Sequence, residues 1–328
     1  MKQRNIRIGS ASHAVAFAPG TVANVAVGFD VLGFALEGVG DRVRVTVDES
    51  APEPVVVDGI EGGIAGVPDD PARNTAAVAL RAMIDELGLD RRFRIGLWKG
   101  IPLGSGMGGS AASAVGAVVA ANALLDRPLG RRELLPFALA GEAAASGAPH
   151  ADNAAPCLFG GLTALVAAEP PSIVEIPVPD GLMCVLVRPE LRVDTREARA
   201  SLARQVPLER FVEQTMYLTG FLAGCFRGDV ELIGRSMHDL VAGPQRAARI
   251  VGFDAARAAA LAAGALAFAV AGSGPSVFAW VRIGDAVSRV ERAVLAAFER
   301  EGVPAQAWVS RLAGAGARVV RDDEALAP

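Results

Sequence analysis

The sequence contains little lysine, tyrosine, histidine or cysteine. Only Lys2 and Lys99 of its 32 basic residues are lysines, and the 328 residues include one tyrosine, three histidines and three cysteines. With 36 acidic residues the formal net charge is −4. This balance excludes a broad basic surface of the kind that binds phosphate backbones, so nucleic acid is not an expected partner.

The few cysteines give no sign of a disulfide framework or a metal cluster. Cys157, Cys184 and Cys225 are an odd number, lie far apart, form no CxxC pair and have no histidine at metal-ligand spacing. Such cysteines are typical of reduced thiols in the core of a cytoplasmic protein.

The chain also lacks an apolar run of membrane-spanning length. Its most apolar stretches, 110–125 and 255–271, are either too short or interrupted by Arg257 and Gly264. The basic N-terminus is followed by glycine and serine where a signal peptide has an apolar segment. We therefore expect no membrane partner and a cytoplasmic location.

What the chain has in abundance is apolar surface for folded domains. Hydrophobic residues make up 52% of it, which excludes disorder. The alternation of Val43, Val45 and Val47 with polar residues predicts a half-solvated antiparallel sheet. Asn74 and Gly88 have the residue types of a helix N-cap and C-terminus.

The remaining elements do not alternate regularly between strand and helix, which favours an α+β fold. The pattern predicts further helices over 110–125, 131–145, 195–203, 207–227 and 285–301, a loop over 146–161, and strands near 93–98, 161–167, 182–188 and 265–281. The composition of residues 167–172 is typical of a linker. We place the domains at 1–168 and 169–328.

A glycine-rich segment follows the strand near 93–98. Gly104, Gly106 and Gly109 satisfy G-x-G-x-x-G, but residues 99–103 separate them from the strand, and Asp126 ends a helix rather than a second strand. A dinucleotide site is therefore disfavoured. Two interpretations remain open, a backbone cradle for phosphate at the start of a helix and a tight structural loop.

Three segments together carry a family resemblance. The pattern P-x-x-x-G-[LM]-G-x-S-[AS]-A is present at Pro102, Gly106, Met107, Gly108, Ser110, Ala111 and Ala112. With residues 18–36 (APGTVANVAVGFDVLGFAL) and 270–280 (VAGSGPSVFAW) it resembles the three motifs of the GHMP small-molecule kinases.

Within that superfamily the sequence is most similar to the homoserine kinase family. The matching residues are Asn24, Gly28, Phe29 and Asp30; His150, Asp152, Asn153 and Pro156; and Thr195, Ala198 and Arg199. The resemblance spans nearly the whole chain. Two departures are Gly109, where the family usually has serine, and Ala26-Val27, where it has Gly-Pro.

The resemblance implies a two-domain GHMP kinase architecture, with an N-terminal ribosomal-protein-S5-like and a C-terminal ferredoxin-like domain. It implies ATP and Mg²⁺, L-homoserine as substrate, a homodimer, and threonine biosynthesis as the setting. The implied catalytic residues are Ser110, Glu142 and Asn24, of which Ser110 and Glu142 also hold the metal. The implied ATP-binding residues are Asn74, Pro102, Leu103, Gly104, Ser105, Gly106, Met107, Gly108, Gly109, Ser110 and Ala111. The implied substrate-binding residues are Asn24, Asp30, His150, Asn153, Arg199 and Arg246.

Each of these residues also has a structural interpretation. Ser110 and Asn74 suit helix N-caps, and His150 suits a structural loop. Glu142 is the only acid on an apolar stretch, where a buried carboxylate needs a partner. Arg196 and Arg249 are alternatives to the two implied arginines, and the general base stays unassigned.

Two other functions fit the same motifs. One is a GHMP kinase of an isoprenoid alcohol or a sugar. The other is a catalytically silent ligand sensor, which the presence of both Ser110 and Glu142 disfavours.

Overall fold

Two sheets organise the chain. The computed structural model describes residues 6–64, 66–193 and 195–322. The first sheet contains β1 (His13–Ala23), β2 (Leu32–Val47), β3 (Val55–Glu61), β4 (Phe93–Trp98), β5 (Leu162–Ala168), β6 (Pro171–Ile176) and β11 (Arg318–Val320). The second contains β7 (Leu182–Pro189), β8 (Ala267–Val270), β9 (Val277–Arg282) and β10 (Ala305–Arg311).

The first sheet runs in the order β11-β1-β2-β4-β3, with β5 pairing to both β2 and β6. Its pairs are antiparallel except β3 with β4, which is parallel. Val43 and Val45 of β2 are fully buried while Arg44 between them is not. The alternation predicted from the sequence is therefore confirmed, with one parallel pair that it did not indicate.

The helices cover both sheets. They are α1 (Thr75–Leu87), α2 (Gly109–Ala123), α3 (Arg131–Ser146), α4 (Ala151–Phe159), α5 (Thr195–Ala200), α6 (Leu208–Arg227), α7 (Val230–Ser236), α8 (Gly243–Ala247), α9 (Phe253–Ala262) and α10 (Asp285–Arg300). The side chain of Asn74 accepts hydrogen bonds from two N–H groups of α1, and Gly88 ends that helix in the left-handed conformation. Both ends of α1 are thus as predicted. No helix of the described ranges is long and apolar enough to cross a bilayer.

The loop predicted over 146–161 is wrong for most of its length, because residues 151–159 form α4. Pro156 lies inside this helix, and its alanines pack against β1, β2 and β5. Burial of that apolar surface outweighs the weak local propensity for helix.

The second sheet has the strand order β10-β7-β9-β8. Across the sheet, the fourth of its strands in the chain therefore comes before the first, followed by the third and then the second. This is the ferredoxin-like arrangement. The boundary predicted between residues 168 and 169 falls in the turn joining β5 to β6, and those two strands pair in the first sheet. The chain enters the second sheet only with β7, and β11 returns to the first.

The two sheets share a core where they face each other, and the other face of the second sheet packs in a separate cluster with α9 and α10. The ring of Phe34 on β2 packs edge-on against Phe278 and Trp280 of β9, with centroids 5.9 and 5.8 Å apart. Cys157, Cys184 and Cys225 are free and buried, as predicted.

Candidate active site

The glycine-rich segment forms a tight loop between β4 and α2. Gly104, Gly106 and Gly108 have positive φ angles of 63°, 78° and 68°, a region that disfavours any side chain. A Cβ on Gly106 would lie 2.6 Å from the carbonyl oxygen of Ala271. The loop therefore packs directly on the second glycine-rich motif, residues 270–280. The N–H of Ser276 in that motif donates a hydrogen bond to the carbonyl of Ser105 in the loop.

A buried ion pair supports this loop from below. The ammonium of Lys99 donates to the carboxylate of Asp41, to the carbonyl of Gly109 at 2.9 Å and to the hydroxyl of Ser113 at 2.8 Å. The other oxygen of Asp41 accepts the N–H groups of residues 100 and 101, each at 3.1 Å. The pair thus fixes both the start of the loop and the first turn of α2. No local pattern predicts this pair, although Lys99 is one of two lysines and directly precedes the loop.

Ser110 and Glu142 meet above the loop. Ser110 is in the first turn of α2, and Glu142, on α3, is only 3% exposed. Burial raises the pKa of Glu142 to about 8, and a hydrogen bond with Ser110 partly opposes the rise. A carboxyl in this setting becomes an anion readily only when a cation is nearby.

These two residues supply oxygen ligands, which suit Mg²⁺. The described residues hold no cluster of three or more histidine, cysteine, aspartate or glutamate side chains that could bind a metal. A site with one carboxylate and one hydroxyl fits an ion that takes its other ligands from water and phosphate, as Mg²⁺ commonly does.

A strained turn after β1 positions Asn24 and Asp30. Asn24, Val25, Ala26 and Asp30 all have positive φ angles, which costs such residues energy. The side chain of Asn24 donates to the carbonyl of Gly272 at 3.1 Å and accepts the N–H of Asp30 at 3.0 Å. The φ of 58° at Ala26 also explains why glycine suits this position in the family.

Gln214 of α6 holds this turn from outside. Its amide nitrogen donates to the carbonyls of Val27 at 2.8 Å and His238 at 3.1 Å, and its oxygen accepts the N–H of Leu240 at 2.8 Å. No local pattern distinguishes an inward-facing amide on a helix of mixed composition, so Gln214 could not be predicted from the sequence.

Asp30 and Arg199 form a two-pronged ion pair. The guanidinium of Arg199 donates to the two carboxylate oxygens of Asp30 at 3.1 and 2.6 Å. Arg246 lies close by, buried, with its charge 5.0 Å from the centre of the Phe29 ring and one N–H donated to the carbonyl of Gly272 at 2.6 Å. One acid and two arginines therefore converge at this end of the site.

The first turn of α4 adds His150, Asp152 and Asn153. Asn153 accepts a hydrogen bond from the hydroxyl of Thr21 at 2.8 Å. Nε2 of His150 and Oδ1 of Asp152 are buried, and no hydrogen-bond partner for either is found among the described residues. Buried polar atoms of this kind indicate a place for a ligand.

Burial dominates the charge states of the α4 residues. It raises the pKa of Asp152 to about 7, helped by the negative charge of Asp30 and opposed by Arg246. It lowers the pKa of His150 below its usual value, with Asp30 opposing the change. In the ligand-free protein His150 is therefore mainly neutral near pH 7, whereas Asp152 is close to the midpoint of its titration.

Most of the predicted residues line one cavity of about 230 Å³. It is lined by Asn24, Asp30, Pro102, Leu103, Gly104, Ser105, Gly106, Gly108, Gly109, Ser110, Glu142, His150, Asn153, Arg199 and Arg246. It also takes in Ala23, Ala145, Asp152, Gly272 and Ser273, which the sequence analysis did not assign to the site.

Three predicted residues are not part of that lining. Met107 and Ala111 are fully buried beneath it. Asn74 uses its amide to cap α1 and to donate to the carbonyl of Pro68 at 2.7 Å, and its contact with ATP stays a prediction. The alternative Arg249 is exposed, and the side chain of Arg196 lies outside the described part of the chain.

Comparisons with known proteins find related sequences and structures. The family model "GHMP kinases N terminal domain" matches residues 74–161, and "GHMP kinases C terminal" matches residues 221–300. A homoserine kinase of Xylella fastidiosa is 45% identical over 311 residues, which is 95% of this chain and 95% of that protein.

Solved structures give the same result. The crystal structure of homoserine kinase from Cytophaga hutchinsonii superposes with a TM-score of 0.91 and 38% identity, covering 95% of this chain and 98% of that one. Mevalonate kinase of L. major in complex with R-mevalonate has a TM-score of 0.68, 16% identity and coverage of 94% and 98%. At that identity it shows the fold alone.

Proposed function

The chain belongs to the GHMP kinases, within the homoserine kinase family, and we propose that it transfers the γ-phosphate of ATP to the side-chain hydroxyl of L-homoserine. The product would be O-phospho-L-homoserine, an intermediate of threonine biosynthesis. The observation that carries the proposal is the lining of one cavity, which brings the glycine loop together with Asp30, Arg199 and Arg246.

The glycine loop supplies the phosphate-binding wall. Its backbone is held open by glycine and rigidly supported by Lys99 and Asp41. Backbone N–H groups at the start of α2, together with the positive end of the helix dipole, suit phosphate oxygens. The Mg²⁺ ion that accompanies ATP would be held by Ser110 and Glu142 and would supply positive charge at the transferring phosphate.

The charged residues of the cavity suit an amino acid. The carboxylate of Asp30 complements an ammonium group, and the planar guanidinium groups of Arg199 and Arg246 complement a carboxylate. In the ligand-free protein Asp30 and Arg199 pair with each other. We propose that a zwitterionic substrate separates them, its ammonium taking the place of Arg199 and its carboxylate the place of Asp30.

The main contribution of these residues to the reaction is then to position the substrate hydroxyl. A phosphoryl transfer with a loose transition state requires in-line placement of the hydroxyl more than a strong base. Asn24, which lines the cavity, is fixed by its hydrogen bonds to Gly272 and Asp30. We assign no general base. We further propose that the protein acts in the cytoplasm as a homodimer.

The experiment that tests the reaction is a coupled assay with ATP and Mg²⁺ and a panel of small alcohols. We expect product with L-homoserine and little or none with mevalonate, a sugar or a homoserine analogue without the ammonium group, because unpaired buried charges reject such ligands strongly. Turnover of mevalonate or a sugar without turnover of homoserine would contradict the proposal. Binding of homoserine without any turnover would favour the sensor interpretation.

The pocket arginines give a second expected result. Arg199→Ala and Arg246→Ala should each lower kcat/KM for homoserine about ten- to a hundredfold while leaving the KM for ATP nearly unchanged, because each would lose one partner of the substrate carboxylate. Steady-state kinetics with each substrate varied in turn measure both effects. Arg249→Ala, which changes an exposed neighbouring arginine, is the matched control. A loss confined to that control would place the carboxylate site elsewhere.

A further inference from the structure

Helix α6 presents an unusual outer surface. Leu208, Phe211, Val212, Met216 and Phe226 are exposed by 70, 60, 43, 66 and 64%. With Thr215 and Thr219 they form one stripe along the helix, the outer stripe. Contiguous apolar patches of this kind are uncommon on monomeric proteins.

The threonines do not interrupt the apolar character of the outer stripe. The hydroxyl of Thr215 donates to the carbonyl of Phe211 at 2.8 Å, and that of Thr219 to the carbonyl of Thr215 at 2.8 Å. Both hydroxyls are satisfied within the helix, so their methyl groups are available for packing. Small side chains at this point also allow another helix to approach closely.

The opposite face of α6 is already used. Phe221, Gly224 and Cys225 are buried against the rest of the chain, and Gln214 bonds to the turn near the cavity. A helix with apolar residues on two opposite faces is typical of one that is covered on both.

The charges beside the outer stripe indicate what covers it. Leu208 and Phe226 lie about five turns apart on one line of the helix, and Glu209 and Arg227 lie five turns apart on the adjacent line. Both charged side chains are exposed. The edge next to the stripe is therefore acidic at its N-terminal end and basic at its C-terminal end.

We infer that the outer stripe of α6 is the surface on which a second copy of this chain docks, antiparallel, about a twofold axis between Thr215 and Thr219. That operation places Leu208 over Phe226 of the second copy. It also brings Glu209 next to the second copy's arginine at position 227, because like edges face each other in an antiparallel helix pair. The inference rests on the proposed homodimer and not on the proposed reaction.

The test is the molecular mass of the full chain in solution, measured by sedimentation equilibrium across the micromolar range. We expect a dimer whose Kd rises about thirtyfold or more with Phe211→Glu or Met216→Glu, since central apolar contacts carry most of such an interface. Ile283→Glu is the matched control, because Ile283 is 67% exposed but lies outside α6. It should leave the Kd unchanged.

Charge reversal tests the antiparallel arrangement. Glu209→Arg and Arg227→Glu should each weaken the dimer about tenfold, and the double variant should return to within about threefold of the original Kd. A monomeric unaltered chain would overturn the homodimer itself. If Phe211→Glu left the Kd of the dimer unchanged, the outer stripe would not be the interface. If the Kd of the double variant stayed as high as that of the single variants, the antiparallel twofold pairing would be wrong.

Discussion

Glu142→Gln lowers kcat at least about a hundredfold if the proposed reaction is correct, because the carboxylate contributes negative charge that holds the cation at the transferring phosphate. Ser110→Ala should have a similar effect. Both residues line the cavity at its glycine-loop end. Steady-state kcat over a range of Mg²⁺ concentrations measures the loss.

The free energy of unfolding distinguishes a loss of metal binding in Glu142→Gln from a loss of folding. Glu142 is buried, and burial raises its pKa to about 8. At neutral pH this carboxyl is ionised in the unfolded chain but not readily in the ligand-free fold, so it lowers the free energy of unfolding. The neutral amide removes that cost. We therefore expect Glu142→Gln to have a free energy of unfolding equal to or higher than that of the unaltered chain in urea denaturation.

The matched control is Glu86→Gln, the same change at an exposed position of α1. It should alter neither kcat nor stability. Near-normal kcat and unchanged Mg²⁺ dependence in both Glu142→Gln and Ser110→Ala would remove these two residues from the proposed metal site.

Lys99→Met should destabilise the protein by about 3–5 kcal/mol, because it leaves the carboxylate of Asp41 buried without its cation. Lys99 and Asp41 are both almost fully buried. The same change loosens the loop, since the ammonium holds the carbonyl of Gly109. Urea denaturation measures the loss of stability, and the kcat of the folded fraction measures the effect on the loop.

A double variant identifies the cause. Lys99→Met with Asp41→Asn removes both charges but keeps an acceptor for the N–H groups of residues 100 and 101, so part of the lost stability should return. Arg81→Met is the matched control because Arg81 pairs with Asp85 on the surface, where a pair contributes about 1 kcal/mol or less. A Lys99→Met variant no less stable than the Arg81→Met control would show that the buried pair does not support the fold.

Local patterns in the sequence were sufficient for much of the fold and for locating the glycine loop of the candidate site. The N-cap at Asn74 and the positive-φ glycine at Gly88 are decided within a few residues, so they fixed α1 without tertiary information. The glycine loop and Ser110 are likewise contiguous in the chain. Alternating burial identified the core face of β2 for the same reason.

Only the tertiary structure decided the features that join distant segments. Asp30 and Arg199 are 169 positions apart, and Lys99 and Asp41 are 58 apart. No sequence period relates residues at such distances, because their contact depends on how sheets and helices pack. The sequence therefore suggested substrate-binding roles for Asp30 and Arg199 without showing that they pair with each other.

Helix α4 and Asp152 show the same division. By itself the sequence of residues 146–161 has the glycines and prolines of a loop, and packing against three strands made most of it a helix. That helix buries Asp152 beside the cavity and raises its pKa to about 7. The sequence thus indicated candidate residues for the chemistry, whereas burial, which depends on the whole fold, decided their neighbours and their charge states.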